Sequence, residues 1–255
     1  MMTRKYATIT AALLFTVISH SASAEDAAPE VKPDNELTFN LGAASDYRYR
    51  GISQSNLKPA LQGGADYTNN PTGLYAGTWL STIKWINDAG GDDNVEWDLY
   101  AGKRGDLATD LSYDVGVLSY VYPGNKLGDV SGFVDANTTE LYGQLSYKTV
   151  SIKYSHAVTN LFGISNSKNS SYVDLTGTYP ITEALTFGAH AGHQSVENNS
   201  IFSYTDWKVS LSQDFFGVNF NLGVVGTNAN KLAYVTPDGR FTGKTSLVLI
   251  VVKTF

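Results

Sequence analysis

The chain has 255 residues, 42% of them hydrophobic, with 24 glycines, 16 tyrosines, no cysteine and a formal net charge of −6. That balance is ordinary for a soluble protein of one or two domains, but it also hides transmembrane strands, because only every second residue of such a strand faces lipid. The lack of cysteine excludes disulfide staples and thiolate chemistry, and the acidic balance argues against a nucleic-acid partner.

The first segment, Met1-Met2-Thr3-Arg4-Lys5, is basic; a mostly apolar stretch follows from Ala7 to Ile18, and then Ala22-Ser23-Ala24. Positive, apolar and small-x-small parts in that order make residues 1–24 a cleavable secretory signal peptide. Its roughly 12 apolar residues are too few to cross ~30 Å of hydrocarbon as a helix, and no later run approaches the ~18 that a helical span needs. Cleavage after Ala24 removes Arg4 and Lys5 and takes the charge from −6 to −8. Residues 25–36 then read as a polar periplasmic tether, and 37–255 as the folded domain.

That domain divides into twelve segments with strand character: 37–49, 57–67, 74–83, 95–104, 111–122, 139–148, 150–158, 171–179, 184–195, 204–213, 218–227 and 244–255. In the first, Leu37, Phe39, Leu41, Ala43, Tyr47 and Tyr49 share one parity, and Thr38, Asn40, Asp46 and Arg48 take the other. Val95, Trp97, Leu99 and Ala101 likewise oppose Glu96, Asp98, Tyr100 and Arg104. In 74–83 the parities compete, and the register stays open.

Alternation alone also fits a half-buried soluble sheet, so the connections decide the fold. In chain order they contain 7, 6, 11, 6, 16, 1, 12, 4, 8, 4 and 16 residues, every odd one longer than every even one. Short turns at one end and long loops at the other mark an antiparallel, up-and-down transmembrane β-barrel of about twelve strands in the outer membrane of a Gram-negative bacterium. An even strand number puts both termini on the periplasmic side. The terminal Phe255 on an apolar strand is an assembly signal for the outer-membrane machinery. Val248, Ile250 and Val252 make the inward face of that strand apolar too, suited to packing inside the lumen.

Tyr47, Tyr49, Tyr67, Trp97, Tyr113, Tyr147, Tyr154, Tyr179 and Trp207 take outward parity, as interfacial aromatics would. The opposite parity sends Asp46, Asp66, Glu96, Asp98, Asp114, Glu140, Asp174 and Asp206 into the lumen with Arg48, Arg50, Lys58, Arg104, Lys148, Lys153 and Lys208. Signs so nearly balanced do not make a selectivity ring of one charge. Twelve strands enclose a space between the filled eight-stranded barrel and the open sixteen-stranded porin, and inward Tyr100, Tyr120, Tyr122 and Tyr142 narrow it further. The expectation is a restricted channel for small hydrophilic solutes, whose constriction candidates are Asp46, Arg48, Arg50, Glu96, Asp98, Arg104, Tyr100, Tyr120 and Tyr142. The densest cluster is Ser45 to Ser55. On a strand, Asp46, Arg48 and Arg50 would form a ladder at two-residue spacing, serving either as a solute-orienting constriction or as a structural ion-pair network.

The stretch Ser45 to Ser55, with Gly63-Gly64-Ala65-Asp66-Tyr67, Gly73-Leu74-Tyr75-Ala76-Gly77-Thr78-Trp79, Glu96-Trp97-Asp98-Leu99-Tyr100-Ala101-Gly102, Tyr113-Asp114-Val115-Gly116 and Tyr120-Val121-Tyr122-Pro123-Gly124, resembles the TorF-like family of outer-membrane porins. The resemblance covers essentially the mature chain and is densest from 40 to 125. It implies an outer-membrane barrel and passive transport, and it brings no substrate or catalytic residues with it.

Two other readings compete with the channel. A structural or adhesive barrel would use loops 123–138, 159–170 and 228–243 against ligands or lipopolysaccharide. A lipid hydrolase would need a nucleophile beside a histidine, and His193-Gln194-Ser195 is the one suggestive pair, although the continuation Val196-Glu197 departs from the outer-membrane phospholipase pattern. The expectation is that the protein is not an enzyme. The loop Asp88 to Asn94 lacks calcium-loop spacing, and neither a zinc pattern nor a phosphate loop occurs, so no metal or cofactor is expected.

Overall fold

The computed structural model describes residues 33–255; the expected signal peptide and most of the expected tether, 1–32, lie outside that range. The elements in chain order are β1 (Asn35–Ala44), β2 (Arg48–Tyr49), β3 (Ile52–Ser53), β4 (Ala60–Asn69), β5 (Leu74–Thr82), α1 (Trp85–Asp88), β6 (Val95–Ala108) and β7 (Leu111–Val121). There follow β8 (Thr138–Tyr147), β9 (Val150–Ala157), β10 (Ser171–Pro180), β11 (Leu185–Ser195), β12 (Tyr204–Phe215), β13 (Val218–Thr227) and β14 (Ser246–Thr254). Twelve of these strands, all but β2 and β3, form a closed barrel in which each is antiparallel to its chain neighbours. Closure is made by β1 on β14, with Ala43 opposite Val251, and Phe255 continues the ladder through backbone hydrogen bonds with Phe39 in both directions, at 2.8 and 3.2 Å. A closed ladder leaves no unpaired backbone edge in the hydrocarbon.

The period-two pattern sorts the side chains as it should. Leu37, Phe39 and Leu41 point outward from β1, and Leu141, Leu145, Ile152 and Leu175 do the same elsewhere, all more than 40% exposed to the lipid side. In β5 the open register resolves with Leu74 and Leu80 outside and Tyr75 and Trp79 buried inside. The connections alternate as expected: 70–73, 109–110, 148–149, 181–184 and 216–217 at one end, and 45–59, 83–94, 122–137, 158–170, 196–203 and 228–245 at the other. Both chain ends of the barrel lie at the short-turn end, since Asn35 pairs with Asn69 beside the turn 70–73. Turn 216–217 places both Phe216 (φ 50°) and Gly217 (φ 76°) in the left-handed region, which suits a two-residue hairpin between right-twisted strands.

One segment departs from the expectation. The wall strand β1 ends at Ala44, not at 49, and β4 begins at Ala60, not at 57. Residues 45–59 leave the wall between them and fold inward, with β2 and β3 forming a separate two-stranded hairpin. The alternation of Asp46, Tyr47, Arg48 and Tyr49 is genuine, but it belongs to this hairpin, and periodicity cannot say which sheet a strand joins. Tyr47 and Tyr49 therefore do not face lipid; Tyr47 is buried and Tyr49 half-buried. Lys58, expected in the lumen, is exposed on this connection.

Inside the barrel at the long-loop end, Tyr47, Trp79, Ile83, Ile86 of α1, Tyr120, Tyr122 and Leu127 form one buried apolar cluster. A second cluster, Ala44, Val225, Val248 and Ile250, confirms that the inward face of β14 packs within the lumen.

Candidate functional site

The hairpin is built to reach across. It emerges between β1 and β4, and the residues at its tip bind strands four steps away in either direction round the barrel. Arg50 Nη1 donates to Glu140 Oε1 on β8 at 3.0 Å and to Gln194 Oε1 on β11 at 2.6 Å, while Nη2 donates to Glu140 Oε2 at 2.7 Å. This two-pronged grip fixes the guanidinium in both position and plane. Its Cζ also lies 4.2 Å from the ring centre of Tyr172 and 4.7 Å from that of Tyr49.

Local geometry explains why the tip reads Arg50-Gly51. Both residues have positive φ, 45° and 78°, as the two central positions of a tight hairpin turn require. An arginine pays roughly 1–2 kcal/mol for that conformation, which fits its contacts with the far wall. At Gly51 a side chain would also meet the wall, since a Cβ there would fall 2.5 Å from Thr227 Cγ2 and 2.8 Å from Asp206 Cβ.

Arg48 anchors the root of the hairpin. Its Nε donates to Asp46 Oδ2 at 2.6 Å, its Nη1 to the carbonyls of Gly51, Thr242 and Lys244, and its Nη2 to Ser246 Oγ on β14. Asp46, Arg48 and Arg50 thus come together in the lumen as expected, but on an inserted hairpin; no ladder runs along the wall. Arg48 and Arg50 serve opposite sides of the barrel.

The remaining candidates line the wall, several of them beside this hairpin and Arg104 near the short turn 70–73 at the other end. Tyr120 on β7 meets Tyr49, hydroxyl to hydroxyl, at 2.6 Å. Glu96 on β6 accepts from Tyr47 at 2.5 Å and from Tyr122 at 2.7 Å. Asp98, two residues along, is buried at 2% exposure. Tyr100 donates to Asp66 at 2.5 Å, and Arg104 donates to Thr68 Oγ1 at 3.0 Å above the ring of Tyr75. Tyr75 bonds both Asp114 and Tyr142. Lys148 is the other exception besides Lys58, since it sits exposed in the turn 148–149 with its ammonium 5.3 Å from the Tyr147 ring. Phe255 is exposed on the outer face.

Strand register orders the charges. Arg104, Asp114, Gln144, Lys153, Asp174, Gly192 and Asp206 are successive cross-strand partners around half the barrel. His190 bridges two of them, with Nδ1 2.6 Å from Asp174 and Nε2 2.7 Å from Asp206. Gly192 interrupts the row for a steric reason, because a Cβ there would lie 2.0 Å from Tyr172 Oη, which crosses it to donate to Asp206 at 2.8 Å. Gly77 under Tyr100, Gly102 under Tyr75 and Gly116 under Tyr142 repeat the device, a lumen-facing glycine covered by a neighbouring ring. Sequence reasoning missed Tyr172, although its parity with Asp174 points it inward.

Beneath the hairpin lies a cavity of about 350 Å³. Asp98, Tyr142, Lys153, His190 and Lys208 line it, with the hydroxyls of Ser151, Thr176 and Ser210 and the apolar Val225, Val248 and Ile250. At the long-loop end, Arg240 lies 2.6 Å from Asp238 on an exposed turn and, with the Thr236 hydroxyl, holds that carboxyl below the ordinary carboxylate range. On the outer face His193 Nδ1 pairs with Thr205 Oγ1 at 2.9 Å, and Gln194 between His193 and Ser195 points the other way, into the lumen.

The fold matches that of outer-membrane porins. The structure "KdgM porin" aligns with TM-score 0.52 at 9% identity, covering 86% of this chain and 99% of that one. "NanC porin structure in rhombohedral crystal form" aligns with TM-score 0.53 at 13% identity over 86% and 98%. "KdgM porin in complex with disordered oligogalacturonate" aligns with TM-score 0.52 at 8% identity, over the same 86% and 98%. At these identities the likeness is one of fold. No curated protein matches the sequence. The sequence model described as "Bacterial protein of unknown function (Gcw_chp)" matches residues 28–255, and the chain belongs to that bacterial family.

Proposed function

We propose that the protein is an outer-membrane channel that passes small hydrophilic solutes by diffusion, through a lumen restricted by the hairpin 48–53. One observation carries this reading: Arg50 crosses the lumen to Glu140 and Gln194 from a left-handed turn, so the passage at the hairpin is flanked by charged and phenolic groups. The porin fold supports it, as does the cavity beneath the hairpin, where charged and hydroxyl side chains share the wall with apolar ones. The resemblance of Ser45 to Ser55 to TorF-like porins supports it too, because those residues form the inserted hairpin. In this reading the short turns and both termini face the periplasm, the outward leucines and aromatics contact lipid and lipopolysaccharide, and Phe255 addresses the assembly machinery.

Asp46, Arg48, Arg50, Glu96, Asp98, Arg104, Tyr100, Tyr120 and Tyr142 act as lining groups, and none acts as a catalyst. His193 is hydrogen-bonded to Thr205, and no hydrogen bond joins it to Ser195 among the described residues, which favours the channel over a lipid hydrolase. Liposome swelling tests the proposal. Vesicles carrying the protein should swell in small sugars and amino acids at rates that fall with solute size. Vesicles that swell no faster than protein-free controls in every solute would end it and leave the adhesive barrel as the better reading.

A further inference from the structure

Glu96 and Asp98 share the lumen face of β6, and each is 2% exposed. Four other buried acids of the lumen rest on a base, Asp46 on Arg48, Glu140 on Arg50, and Asp174 and Asp206 on His190, while Asp114 is held by the Tyr75 phenol. Neither Glu96 nor Asp98 forms an ion pair among the described residues. Glu96 is held by the phenols of Tyr47 and Tyr122, whereas Asp98 Oδ1 has no hydrogen-bond partner among the described residues. A carboxylate so far removed from water with neither base nor donor is strongly disfavoured, and it is relieved either by taking up a proton or by a positive group that enters the cavity.

The surroundings specify which kind. Asp98 opens on the cavity under the hairpin together with Tyr47, Trp79, Tyr120 and Tyr142. Trp79 on β5 and Tyr120 on β7 are its two cross-strand partners, and Tyr47 meets Trp79 edge-on at 5.4 Å. A divalent metal would seek six or more oxygen ligands, and no metal-holding group of acids and histidines occurs among the described residues. Rings flanking one carboxylate instead suit a cation whose charge is spread over carbon.

We propose that Asp98, flanked by Trp79, Tyr120 and Tyr47, is a binding subsite for the organic ammonium group of a solute, and this rests on the channel reading. Arg50 and Glu140 neutralise each other nearby, and Asp98 supplies the negative charge on the β6 side of the cavity, with Lys153 and Lys208 on β9 and β12.

Calorimetric titration of the folded, full-length protein in a maltoside detergent, which carries no ammonium headgroup, tests the subsite. The probes are tetramethylammonium and its neutral near-isostere tert-butanol. Saturable binding of tetramethylammonium is expected, with tert-butanol weaker by about tenfold or more, and Asp98→Asn should weaken the cation by about tenfold or more while keeping the heat-modifiable fold. Trp79→Leu provides a second loss that leaves the carboxylate in place. Absence of binding, equal affinity for the two probes, or an Asp98→Asn protein that binds as before would overturn the proposal. Conductance of the same preparation separates the two readings. A conducting protein that ignores tetramethylammonium overturns the subsite alone, whereas a non-conducting protein that binds it overturns the channel and with it the link to a transported solute.

Discussion

Arg50 grips Glu140 through both amino groups of its guanidinium, at 2.7 and 3.0 Å, from a hairpin rooted on the opposite side of the barrel. The pair is buried on both sides, with side chains 7% and 2% exposed. Replacing one member leaves the other largely buried without its counter-charge. Glu140→Gln should lower stability to urea by about 3–5 kcal/mol and raise single-channel conductance by freeing the hairpin tip. Unfolding and conductance that both stay at wild-type values would show that the contact contributes nothing.

The tyrosines laid over glycines give a steric prediction. Gly192→Ala forces a methyl to within 2.0 Å of Tyr172 Oη and breaks the bond from Tyr172 to Asp206. Overpacking of this kind costs about 1–3 kcal/mol, and Tyr172→Ala in the same chain should recover part of it, because the two positions share one space. Strictly additive losses in urea denaturation would contradict the packing described.

How much of this was legible in the sequence follows from what periodicity can encode. The barrel was legible because Leu37, Phe39 and Leu41 alternate with polar neighbours and because short and long connections alternate without exception. The lumen assignments of Glu96, Asp98, Asp114, Glu140, Asp174 and Asp206 followed from parity and agree with their burial. Tyr47 and Tyr49 did not, since a hairpin folded into the lumen has the same period of two as the wall beside it. The turn signal was present in Arg50-Gly51, but an arginine in a left-handed turn is an unusual choice that only its partners on β8 and β11 explain. Lys58 and Lys148 were misplaced for a simpler reason, since both lie in connections, where strand parity has no meaning.

The carboxy terminus carries a biogenesis prediction. Phe255 pairs its backbone with Phe39 at the closing seam and leaves its ring exposed. Removing Phe255 should reduce the amount of heat-modifiable protein in outer-membrane fractions while sparing refolding of purified chains into detergent. Equal membrane levels would remove it as an assembly signal.

A titration probes the long loop 228–245. Arg240 and the Thr236 hydroxyl stabilise the charged form of Asp238, so its carboxyl is held below the usual value and the contact is lost as pH falls through that lowered value. Arg240→Gln should move the Asp238 titration, followed by NMR, upward toward the ordinary value of about 3.9. No movement would mean that the turn, and not the guanidinium, sets it.

Planar-bilayer recording of the wild type beside Arg50→Ala tests the central claim most directly. The account predicts discrete conductance steps for the wild type and larger steps for Arg50→Ala, as the hairpin loses its hold on Glu140 and Gln194. Silent bilayers for both proteins, with correctly folded barrels inserted, would contradict it.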